Sequence, residues 1–74
     1  MPGPHNDDGP ELGQAVAFDV AEILEEYGPV TPDDFERLAG EAEKSAANYI
    51  GGEAVARGVA AELRRRAQAM RDAS

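Results

Sequence analysis

Few side chains in this sequence suit covalent or acid–base chemistry, and their spacing decides what they can do. There is no cysteine and a single histidine, His5, so thiolate metal sites, disulfides and a histidine-based triad lack the members they require. The acid pairs Asp7/Asp8, Glu25/Glu26 and Asp33/Asp34 offer carboxylates for proton transfer or for a hard cation. Adjacent residues on a helix do not converge, however, and no calcium-loop spacing is present. These pairs read as helix caps and solvated faces. Ser45 has Lys44 as its neighbour but no histidine or lysine placed to act as its base. The sequence therefore predicts a protein that is not an enzyme and carries no cofactor and no metal.

Charge narrows the partners. Fifteen acids against seven bases leave a net charge of −8, which repels a phosphate backbone and argues against nonspecific nucleic-acid or membrane-surface binding. No apolar run approaches the ~20 residues that span a bilayer, and no charged-then-apolar segment opens the chain. A soluble, cytoplasmic protein is expected. The charge is also uneven. Residues 1–43 hold twelve acids and only Arg37, whereas residues 44–74 hold three acids and six bases, so the two halves attract.

The elements that must position these groups are helices. Residues 1–9 contain prolines, glycines and aspartates but no large apolar side chain beyond Met1, and are predicted to be a disordered tail. A single helical domain follows over 10–74, an all-α, three-helix bundle with helices at about 10–27, 32–50 and 53–71. In the first, a cap at Asp8 or Gly9 precedes Pro10, and Val16, Val20, Ile23 and Tyr27 share one face, with Leu12 and Leu24 at its margins. Gly28-Pro29 ends it.

Thr31-Pro32-Asp33-Asp34 carries an N-cap, a first-turn proline and a shortened capping box, with Val30 and Phe35 at staple positions. The second apolar face then runs through Leu38, Ala39, Ala42, Ala46, Tyr49 and Ile50. Gly40 falls within this helix and permits a break there. Gly51-Gly52 separates it from the third, whose inner face is Ala56, Val59, Ala60, Leu63, Ala67 and Met70.

Two surface features point to protein binding. Phe18 lies opposite the apolar face of the first helix, among Glu11, Glu22 and Glu25. An aromatic ringed by charges makes an interaction hot spot if it is exposed; if the first helix is covered on two sides, Phe18 belongs to a second core seam. Arg57, Arg64 and Arg71 recur every seven residues beside the apolar face of the third helix. Such a stripe sets register against a neighbouring helix, here the acidic first one, or meets an acidic partner or a second copy of the chain. Fourteen alanines and about sixteen larger apolar side chains make a thin core at ~25 cal/mol per Å² of burial, which favours a homo-oligomer or a bound partner protein.

Around Gly40 the chain resembles the helix-turn-helix DNA-binding motif over about 20 residues. With Gly40 at the motif's turn, Phe35, Ala39, Ala46 and Tyr49 take its apolar positions. The resemblance implies a dimeric DNA-binding regulator in which Lys44, Ser45, Ala47 and Asn48 face the groove, with Lys44, Ser45 and Asn48 as the DNA-binding residues. Glu36 and Glu41 depart from the pattern, which wants a small and an apolar residue there. In size and acidity the chain is similar to acyl carrier proteins, but Glu43-Lys44-Ser45 lacks their Asp-Ser pair. Tyr49-Ile50-Gly51-Gly52-Glu53 resembles the Tyr-x-x-x-acid tag of type VII secreted helical hairpins, without that family's tryptophan-containing turn. The reading that absorbs most residues is a small acidic protein-binding module acting through helix surfaces.

Overall fold

The computed structural model describes residues 8–74, with side chains described from residue 11 onward. The described residues form three helices, α1 (Asp8–Tyr27), α2 (Pro32–Lys44) and α3 (Glu53–Ala73), and one 3-10 turn at Ala46–Asn48. No strand occurs among the described residues, and none of their helices is long and apolar enough to cross a membrane. The all-α fold expected from periodicity is the fold observed. Of the anticipated tail, residues 1–7 lie outside the described residues. Residues 8 and 9 instead open α1, so Pro10 sits third in the helix rather than first. The first turn tolerates it because its N–H groups have no intrahelical acceptor.

The start of α2 follows the sequence closely. Thr31 Oγ1 accepts the Asp34 N–H at 3.1 Å, and Asp34 Oδ2 accepts the N–H groups of Thr31 and Val30, both at 3.1 Å. The capping box is thus closed in both directions, with Pro32 in the first turn. Val30, at the staple position before the cap, nevertheless remains exposed while Phe35 is buried.

The other end of α2 differs from expectation. α2 runs without a break through Gly40 but stops at Lys44, not at Ile50. Ser45 caps it, the 3-10 turn follows, and Tyr49 is extended. Stopping at Ile50 would have left only Gly51-Gly52 to turn the chain back along α2. The observed connection spends residues 45–52 on that reversal. Tyr49 still packs against the core, whereas Ile50 is fully exposed.

α3 is the centre of the molecule. Both α1 and α2 pack on it, and they make no helix–helix packing with each other. The core gathers Val20 from α1, Phe35, Ala39 and Ala42 from α2, and Val55, Val59, Ala60, Leu63 and Ala67 from α3. No polar or charged residue is buried among the described residues. Leu63 is the largest side chain that is fully buried, so the core is as thin as its alanine content implies. α1 approaches α3 at Gly58, where a Cβ would lie 2.6 Å from Val16 Cγ2. A side chain there would push the two helices apart.

Candidate functional site

The outer face of α1 carries the clearest surface feature. Val16, Val20, Ile23 and Leu24 turn toward α3, and at 100° per residue this aims Phe18 directly away from it. Phe18 is 65% exposed. Glu11, Glu22 and Glu25 share that outer face and are exposed as well. Among the described residues, no acid of α1 takes part in an ion pair. Of the two sequence alternatives for Phe18, the free chain therefore adopts the exposed one. Tyr27, expected on the inner face, is 63% exposed as well, at the last residue of α1.

The arginine stripe is occupied, and not by α1. Arg64 holds Glu43 with two parallel bonds of 2.7 and 2.9 Å. Arg71 bonds Glu36 and lies 3.2 Å from Asp33. Each of these acids belongs to α2. Arg57 pairs within α3, with Glu53. The expected partnership between α1 acids and α3 arginines is thus replaced by one between α2 and α3. The stripe borders the side of α3 that receives α2, while α1 sits on the Gly58 side. The antiparallel register of α2 and α3 follows from the pairings, Glu43 with Arg64 and Glu36 with Arg71.

These contacts account for most of the titration shifts. Hydrogen bonds from Arg64 hold the Glu43 carboxyl below its ordinary value, and those from Arg65, then Arg66, do the same for Glu62. The Val30 and Thr31 N–H groups lower Asp34. Burial, then the negative charge of nearby Asp19, raises the Tyr49 hydroxyl above its ordinary value of 10.0. No three His, Cys, Asp or Glu side chains among the described residues converge as metal ligands.

Lys44, Ser45 and Asn48 do not share one helix. Lys44 ends α2, Ser45 caps it and Asn48 closes the 3-10 turn, all three exposed. The turn that the helix-turn-helix register requires at Gly40 is absent, since α2 passes through that residue. No family model, curated protein or solved structure matches the chain. Its function has to be read from its own surfaces.

One such surface went unread in the sequence. An open groove of about 610 Å³ runs between α1 and α2, lined by Ile23, Tyr27, Leu38, Ala42 and Tyr49. Arg37 and Glu41 stand along it. Periodicity assigns Ile23, Tyr27 and Leu38 to inward faces. It carries no signal that α1 and α2 remain apart, and that separation is what opens the groove.

Proposed function

We propose that the protein is a non-enzymatic binding module that recognises a basic partner protein through the outer face of α1. Phe18 is the aromatic anchor, and Glu11, Glu22 and Glu25 form its charged rim. The observation that carries this reading is a large aromatic held in solvent, amid carboxylates without cationic partners, on a helix whose opposite face already satisfies the fold. Anchors of this kind gain affinity from burial of the ring, while rim charges steer a partner of opposite sign and restrict the choice of partner. Two copies would not pair through this face, since α1 carries six acids and no base and like charges would meet.

The non-enzymatic part of the proposal rests on the origin of the titration shifts. Perturbed groups in clefts mark candidate catalytic residues; Asp34 and Tyr49 both line the α1–α2 groove, but the Asp34 shift comes from its capping bonds, the Tyr49 shift first from burial, and Glu43 and Glu62 are lowered by surface arginines. Arg64 and Arg71, considered as a binding stripe, are committed to α2 and serve the fold in this reading.

The test is a photo-crosslinking amino acid placed at position 18, with the same group at the exposed Gln68 on α3 as a control. The expected result is a protein adduct at position 18 alone, of basic isoelectric point, lost on raising salt from 50 to 500 mM. Equal labelling at both positions, or an acidic or nucleic-acid adduct, would contradict the proposal.

A further inference from the structure

We propose that two copies of the chain pair through the surface around the α1–α2 groove, with Ile50 of each copy seated in the groove of the other. Independently of the Phe18 face, three observations carry this. The first is an apolar knob that the chain cannot use for itself. Ile50 is the most exposed large apolar side chain among the described residues. Its neighbour Tyr49 lines the groove, whereas Ile50, in the turn that follows, does not and stands fully in solvent. Ile50 is therefore free to enter the groove of another copy.

The second is that the knob is held in place. The Gly52 N–H donates to the Tyr49 carbonyl at 3.0 Å, closing a turn with Ile50 in its first bend. Gly52 has φ +102, a conformation that other residues rarely adopt. Tyr49 packs on the core, which fixes the turn at its other end. An anchor ordered before contact loses less freedom on binding.

The third is charge. A two-fold interface places the same patch on both sides, so the patch must complement itself. The outer face of α1 carries acids only and cannot do so. The groove is lined by Asp34, Arg37 and Glu41; Arg37 pairs with Asp34 of its own copy but stays exposed, and a two-fold arrangement lets it also meet the Glu41 carboxylate of its partner. Tyr27, which lines the groove, and Val30, which follows the lining residue Pro29, add exposed apolar surface there. The thin core gives the chain a reason to bury it.

Sedimentation equilibrium of the full chain between 1 and 500 µM tests the proposal, with Ile50→Arg and Phe18→Ala as variants. The wild type should move toward twice the 7.8 kDa chain mass as concentration rises. Ile50→Arg should weaken dimerisation at least tenfold while keeping the far-ultraviolet spectrum and the low-concentration melting curve of the wild type, since Ile50 contributes nothing to the core. Phe18→Ala should dimerise as the wild type does. A second readout is Glu41→Arg, which should weaken the dimer, and Arg37→Glu/Glu41→Arg, which should restore it. A wild type that is monomeric throughout would overturn the proposal, and would leave the groove to a helix from another protein. A dimer that survives Ile50→Arg but is lost in Phe18→Ala would overturn it in favour of pairing through α1. Neither result alters the crosslinking test of the α1 face.

Discussion

At the scale of single residues, the structure separates side chains that hold the fold from side chains that are spare. Asp34 belongs to the first group, accepting the Thr31 and Val30 N–H groups that would otherwise lack partners. Those bonds favour the ionised carboxylate and set its pKa below the ordinary 3.8. A group whose pKa is depressed by folding stabilises the native state above its unfolded value and ceases to do so as pH falls through its folded value. The melting midpoint of Asp34→Asn should therefore lie below that of the wild type by a constant margin above about pH 5. The margin should shrink as pH falls below 3.8, as followed by circular dichroism. A margin that stays constant through acid would show that charge plays no part in the cap. The capping residues were legible in the sequence because every bond they make is local, spanning three or four residues. Phe18 was only half legible. Periodicity placed it opposite the inner face, but whether anything covers that face depends on packing between elements far apart in the chain.

Helix approach governs the next scale. Gly40 and Gly58 both lie inside helices, yet their surroundings are opposite. A Cβ at Gly40 meets nothing within 4 Å, whereas one at Gly58 meets Val16 at 2.6 Å. Gly40→Ala should accordingly stabilise the protein by about 1 kcal/mol, the helix-propensity difference. Gly58→Ala should lose that gain and fall below the wild type, because the β-branched Val16 has little rotameric freedom with which to move aside. Denaturant unfolding of the two variants checks both signs, and a stabilised Gly58→Ala would mean that α1 sits further from α3 than described.

Element existence and helix starts were readable from spacing, caps and prolines. The end of α2 was not, because Tyr49 continues the apolar period of the helix even though it reaches the core from an extended backbone. The length of chain needed to reverse direction decided the matter, and single-helix periodicity is blind to it. The partner of the arginine stripe was misread for a related reason. Charge balance between halves of the sequence pointed to α1, but α2 occupies the side of α3 that the stripe borders.

For the molecule as a whole, α3 bears the packing and leaves two surfaces for others. The half of α1 that faces away from α3 is acidic and aromatic. The groove between α1 and α2 is mixed, its lining combining apolar side chains with charges of both signs. Different surface chemistry on one small scaffold allows one face to bind another protein while the second binds a copy of the chain. This division requires that the fold not depend on Phe18, and the stability of Phe18→Ala beside that of Leu63→Ala, measured by thermal unfolding at a fixed low concentration, tests it most directly. Leu63 is fully buried at the centre of α3, and its truncation should cost ~2–5 kcal/mol. Phe18→Ala should stay within ~0.5 kcal/mol of the wild type, as exposed substitutions do. Equal destabilisation by the two substitutions would place Phe18 in a second core seam and contradict the assignment of the α1 outer face to a partner.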